Sequence, residues 1–256
     1  MTANRRGWLQ GLLAAGSGLW LAACDRLNEN PKVQRGLQSA EGLTRRVQRL
    51  VVDRKALARE FTPADISSDF RANGTTRPGD PGYVAQLAGG FADWRLVIDG
   101  LVEHPLSLSL AELQAEPART QITRHDCVEG WSSIGKWTGA RLGPLLDKAG
   151  LKPEARFIVF HCADFLGEGS GEDSRYYESI DLIDAHHPQT ILAYAMNDQP
   201  LPVAHGAPLR LRVERQLGYK HAKYVMRLEA VADFAHIAAG KGGFWEDRGY
   251  EWYAGV

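Results

Sequence analysis

Cys127 lies in the run Arg124-His125-Asp126-Cys127-Val128-Glu129-Gly130-Trp131. A thiol flanked by a guanidinium, an imidazole and a carboxylate has surroundings that promote thiolate, the form of cysteine that binds soft metals or attacks electrophiles. Other polar groups recur at expected strand ends or turns: His161 and Cys162, His205 and Arg210, His221 and Lys223. Several chemistries fit these residue types. Structural zinc is one, although His125 and Cys127 stand only two apart and no Cys-x-x-Cys or His-x-x-x-His spacing supports them. A cysteine nucleophile is another, with His161 or His205 as its base if the fold brings either close. A metal cofactor bound through a single protein thiolate is a third. Its other ligands would come from an organic group and from solvent or oxo, and the arginines and lysine would hold that group's phosphate by charge-assisted hydrogen bonds. A disulfide between Cys127 and Cys162 also stays open for an exported chain.

The elements that must position these groups read as an α+β pattern. Trp94 to Asp99 alternates apolar and polar side chains before Gly100, as a half-buried strand does. Ser109-Leu110-Ala111-Glu112 predicts a capping box and a short helix. Thr120 to His125 is strand-like and delivers Cys127 to a strand end, where side chains converge on a cleft. Leu142, Leu145, Leu146 and Ala149 share one helix face, with Gly150 as the stop and Pro153 beyond. Arg156 to Phe160 reads as a buried strand ending at His161-Cys162-Ala163-Asp164, and Leu209 to Val213 and Tyr224 to Val231 as further strands. No internal repeat is present. No glycine-rich dinucleotide fingerprint follows a strand and no phosphate-loop lysine motif occurs, so ordinary nucleotide cofactors lack their usual cradle.

Residues 1–24 read as an export signal. Arg5 and Arg6 form an arginine pair, and Leu12 to Ala23 supplies an apolar core too short for an ordinary transmembrane helix. The pair resembles a twin-arginine signal, whose pathway moves folded proteins, often with a cofactor already loaded. Leu21-Ala22-Ala23-Cys24 resembles a lipobox, which makes Cys24 a lipid anchor and the location periplasmic; the plainer reading is a soluble exported protein cut near Ala23. Removing the signal leaves about 230 residues, enough for a well-buried core. A formal net charge of -1 gives no electrostatic case for nucleic acid. Residues 25–92 read as a basic arm or linker. Val47, Leu50, Val51 and Leu57 recur in it at roughly helical spacing. Residues 93–256 are the expected cofactor domain.

Four motifs fall in order: Arg-His-Asp-Cys-Val-Glu-Gly-Trp at 124–131, Pro-Leu-Pro-Val-Ala-His-Gly-Ala-Pro-Leu-Arg at 200–210, Gly-Tyr-Lys-His-Ala-Lys at 218–223, and Trp-Glu-Asp-Arg-Gly-Tyr-Glu-Trp-Tyr at 245–253. Together they make residues 70–256 resemble the sulfite oxidase-type molybdenum oxidoreductases, specifically the compact bacterial exported members that hold a molybdenum-pterin cofactor in one domain. The resemblance implies a sulfite oxidase-like molybdopterin-binding fold with mixed β-sheet and short helices. It implies Cys127 as the thiolate on molybdenum, and Asn73, Cys162, His205, Arg210, His221, Ala222 and Lys223 as cofactor contacts. At Cys162 the methionine sulfoxide reductase branch has threonine, and at His205 it has asparagine where the sulfite oxidases have histidine, so the motifs do not select a substrate. Arg124, His125 and His161 would line the substrate pocket. The implied chemistry is two-electron redox with oxygen-atom transfer on a small oxo-substrate. No Cys-x-x-Cys-His haem motif occurs, so the electrons would pass to or from an external carrier, a cytochrome or membrane haem protein. The rival readings are a non-catalytic exported binding module and a thiol-dependent enzyme on the same fold.

Overall fold

A computed structural model describes residues 30–51, 53–166 and 174–256. The expected export signal and Cys24 lie outside them. The chain divides into two compact units, Met1–Val52 and Asp53–Val256. The described part of the first is one helix, α1 (Pro31–Val51). The helical spacing read through Leu57 stops at Val51, because Asp53 turns the chain: its Oδ1 accepts from the N–H of Lys55 at 2.9 Å and its carbonyl accepts from the N–H of Ala56 at 3.0 Å. Aspartate competes with helix in this way by offering the backbone a local acceptor.

The second unit is α+β, as expected, with two five-stranded sheets. The first runs in the order β2 (Leu106–Ser109), β1 (Arg95–Gly100), β10 (Val225–Val231), β5 (Phe157–Phe165), β6 (Arg175–Asp181). It is mixed, since β1 pairs β10 in parallel and its other pairs are antiparallel. The second is antiparallel: β3 (Ala118–Asp126), β4 (Ser132–Arg141), β7 (Ile191–Met196) and β8 (Gln199–Pro200), with β9 (Arg210–Arg212) also on β7.

Local signals place the short helices. Between Pro81 and Ala88, α2 starts from Asp80, whose side chain accepts from the N–H of Tyr83. The capping box read at Ser109 starts α3 (Leu110–Ala115): Ser109 Oγ accepts from the N–H of Glu112, and Glu112 Oε2 accepts from the N–H of Ser109. Helix α4 (Leu142–Ala149) buries all four residues read as its inner face and stops at Gly150, whose φ of 68° is left-handed. Each of its three leucines contributes about 2 kcal/mol by that burial. A last short helix, α5 (Leu182–Ala185), follows β6.

Two findings bear on the site. Residues 53–92, read from sequence as part of a connecting arm, pack into the same unit as the sheets: Glu60 bridges Thr123, which covers the free edge of β3, while Phe70 joins Trp137 in a buried cluster and Tyr83 is wholly buried. Strand β5 also runs on to Phe165 rather than ending at Phe160. A strand alternates its faces, so His161 and Cys162, read as one cluster at a strand end, point to opposite sides.

Candidate functional site

Cys127 is placed by the five-residue connection from β3 to β4. Its N–H donates to Trp131 O at 2.9 Å, its carbonyl accepts from Gly130 at 3.0 Å, and Gly130 supplies the left-handed φ of 85° that closes the turn. Alternation along β3 sends Gln121, Thr123 and His125 inward and Arg124 outward. Arg124 Nε lies 2.8 Å from Asp126 Oδ1 on the exposed side. The flanking basic residue therefore turns away from the sulfur. Cys127 Sγ is buried and accepts from Asn73 Nδ2 at 3.1 Å. Burial pushes the thiol pKa up, only partly offset by the Glu129 backbone N–H and the Asn73 amide. An uncomplexed Cys127 is thus held as thiol, against the sequence expectation of a ready thiolate. A bound metal cation reverses that balance, because a coordinating thiol loses its proton outright.

Cys127 opens onto a cavity of about 200 Å³. Of the residues singled out from sequence, Asn73, His125, Cys127, His205, Arg210, His221 and Lys223 all line it. Arg124, His161, Cys162 and Ala222 do not. His161 Nε2 sits 2.9 Å from Glu229 Oε2 and 3.2 Å from Arg227 Nη1 on the other face of β5. Cys162 and Ala222 are packed in the main apolar core, and Cys127 and Cys162 are both free thiols, so the disulfide is not formed. Among the described residues no group of three or more His, Cys, Asp or Glu side chains could hold a metal ion, so they give the zinc reading no support.

The cavity wall carries the cations Arg71, Arg210 and Lys223 against the acids Glu129 and Asp164. Arg210 is buried, and its Nη1 donates to His205 O at 3.2 Å while its Nε has no hydrogen-bond partner. Burial and the neighbouring Arg212 lower its pKa to about 9. Lys223 Nζ donates to the carbonyls of Asn73 at 2.7 Å, Thr75 and Ala204 at 3.1 Å, so it clamps the Asn73 loop to the turn before Arg210. Burial and Arg210 push its pKa down. His221 Nε2 donates to Gln216 O at 3.1 Å, which leaves the buried Nδ1 unpartnered. Asp164 on β5 also lines the cavity, and burial raises its pKa. Arginine and lysine groups pushed towards deprotonation by burial and by each other are what an anion would relieve. The orphaned Arg210 Nε and His221 Nδ1 are likewise what a polyfunctional organic anion would satisfy. On those observations the residues fit a phosphate-bearing pterin.

Two glycines permit this packing. A Cβ on Gly218 would stand 2.5 Å from His125 Nε2, and one on Gly206, at φ 111°, would stand 2.9 Å from Lys223 Cβ and 3.2 Å from Arg210 Cβ. Behind His125, wholly buried Arg212 donates from Nη1 to His125 Nδ1 at 3.1 Å and pairs with Glu214 at 2.6 Å. That bond makes Nδ1 the acceptor and Nε2 the protonated nitrogen. Burial first, then Arg212, Arg210 and Lys223, hold His125 neutral well below its ordinary pKa. Sequence reading missed Arg212 and Asp164. Leu209-Arg210-Leu211-Arg212-Val213 alternates apolar and basic residues, yet β9 is buried along its whole length, Arg212 included. Sequence reading also gave no role to Phe70, Tyr176, Tyr219, Trp245 and Tyr250, aromatic residues around the cavity, although the last three stand in quoted motifs.

Comparison with known proteins follows the same lines. Residues 84–236 match the oxidoreductase molybdopterin binding domain family. A putative protein-methionine-sulfoxide reductase subunit YedZ1 from Azospira oryzae is 34% identical over 98% of this chain and 87% of its own. The protein-methionine-sulfoxide reductase catalytic subunit MsrP of Xanthomonas axonopodis pv. citri is 31% identical over 92% of this chain and 72% of its own. The crystal structure of the sulfane dehydrogenase SoxCD from Paracoccus pantotrophus overlaps 55% of this chain and 39% of its own at 27% identity and a TM-score of 0.49.

Proposed function

The chain belongs to the oxidoreductase molybdopterin-binding domain family and is a molybdenum-pterin oxidoreductase of sulfite oxidase type; from that premise we propose that it reduces a sulfoxide, with methionine sulfoxide as the first substrate to test. The observation that carries the reading is one buried cysteine, hydrogen-bonded by Asn73, at a cavity lined by Arg71, Arg210 and Lys223 whose walls also include Tyr219, Trp245 and Tyr250. Aromatic surface favours a neutral, polarisable sulfur group over a small dianion. The names carried by the two relatives support the same substrate.

In this reading Cys127 Sγ is the protein ligand to molybdenum, and Arg210, His205, His221 and Asn73 hold the organic part. When bound, the cofactor supplies two-electron redox coupled to oxygen-atom transfer. The chain does the rest. Asn73 donates its amide N–H to Sγ and fixes the direction of the sulfur lone pairs. Lys223 locks the Asn73 loop in place through three carbonyls. Arg212 holds the tautomer of His125, so that a neutral imidazole faces the cavity. Electrons come from a separate carrier, a cytochrome or membrane haem protein, and the protein works in the periplasm, lipid-anchored at Cys24. The test is turnover by protein matured in a host that makes molybdenum cofactor, with a reduced dye as donor. Oxidation of the dye by methionine sulfoxide supports the proposal; turnover with sulfite and an electron acceptor alone overturns the substrate.

A further inference from the structure

Helix α1 presents an apolar stripe that nothing described covers. Leu43, Val47, Leu50 and Val51 stand at i, i+4, i+7 and i+8, on one face of the helix, and their exposures are 62%, 49%, 85% and 77%. Exposed apolar side chains in such a row mark a surface that meets something other than water. The charge of the helix says what. Its sequence carries the basic residues Lys32, Arg35, Arg45, Arg46 and Arg49 against one acid, Glu41. At 3.6 residues per turn Arg46 falls on one flank of the stripe. An apolar face bordered by arginine complements an anionic bilayer surface, where headgroup phosphates lie beside acyl chains. The undescribed chain leads to the same place. Cys24, the residue read as lipidated, precedes Pro31 by seven residues, which span at most about 25 Å. Among the described residues no helix is long and apolar enough to cross a membrane.

We propose that α1 is an interfacial membrane anchor: it lies in the plane of an anionic membrane, with Leu43, Val47, Leu50 and Val51 among the acyl chains and Arg46 beside the lipid phosphates. This is independent of the redox reading, since none of these residues lines the cavity. The test is hydrogen–deuterium exchange across residues 31–51 of the cofactor-loaded, exported protein. It is run alone, with phosphatidylglycerol–phosphatidylcholine vesicles, and with pure phosphatidylcholine vesicles. Exchange across α1 slows about tenfold or more on the anionic vesicles. The slowing is lost at high salt and in the Leu43→Gln/Leu50→Gln variant, whose dye-linked activity is unchanged. Exchange that is the same with and without vesicles overturns the proposal. So does equal slowing on neutral vesicles, or slowing that appears only when a protein partner is added.

Discussion

Cys127 Sγ is met by the Asn73 amide and the Glu129 backbone N–H, and among the described residues no imidazole hydrogen-bonds it. A nucleophile in that position would be a poor one, whereas a metal ligand needs only its direction set. Cys127→Ser is therefore expected to abolish turnover and leave the melting temperature within a few degrees of wild type; substantial activity in that variant would remove the sulfur from the chemistry. Arg210→Met is expected to lower pterin retained per chain several-fold, since it deletes the buried cation facing the cavity, and released pterin fluorescence measures it. The buried histidines give a pH dependence with a definite sign. Burial, Arg210 and Lys223 lower the pKa of His205 from 6.5 to about 4, and His221 is pushed below its ordinary value as well. Below pH 6.5 the unfolded chain takes up protons that the fold refuses, so stability is highest above that pH and falls as pH drops towards 4. Urea unfolding of cofactor-free protein at a series of pH values checks this, and His205→Asn should flatten the slope. Cys127 was legible in the sequence because its neighbours are local. The direction of Arg124 and the partner of His161 were not, because they depend on which strand face a residue takes and on Glu229, sixty-eight positions away.

The elements that build the cavity are turns held against strands, and their tolerances are narrow. The turn at 218–220 approaches β3 so closely that Gly218→Ala places a methyl on His125 Nε2. The variant should lose about 1–3 kcal/mol of stability and much of its cofactor; Arg124→Ala, on the exposed face of the same strand, should lose little of either. Denaturant midpoints and metal content of the two proteins compare them. Helix α4 was readable to the residue, because apolar period, capping glycine and following proline all sit within one stretch of chain. Residues 53–92 read as a linker because Phe70 and Tyr83 are isolated apolar residues among polar ones. Their partners, Trp137 and Tyr224, lie elsewhere in the chain, and no periodicity announces a contact of that range. The role of Arg212 on β9 was not legible for a related reason: alternation reports two faces but does not say that both are covered.

Across the whole molecule, the C-terminal segment that brings Trp245 and Tyr250 to the cavity is tied down by a buried charge cluster. Lys220 Nζ bonds Glu178 Oε2 at 2.6 Å and also Glu246 Oε1, with all three side chains essentially inaccessible. Burial and Glu246 raise the pKa of Glu178 and Lys220 opposes that rise. Lys220→Met leaves those carboxylates uncompensated and is expected to cost about 3–5 kcal/mol, read as a lower denaturant midpoint. The tie, the Lys223 clamp and the Arg212 support all converge on one sulfur and the cavity beside it. Molybdenum K-edge X-ray absorption on the oxidised protein and on Cys127→Ser tests that convergence most directly. Loss of a sulfur neighbour from the metal in the variant, with the pterin still bound, is the predicted result. An unchanged sulfur shell would mean that Cys127 does not hold the molybdenum and would contradict the assignment.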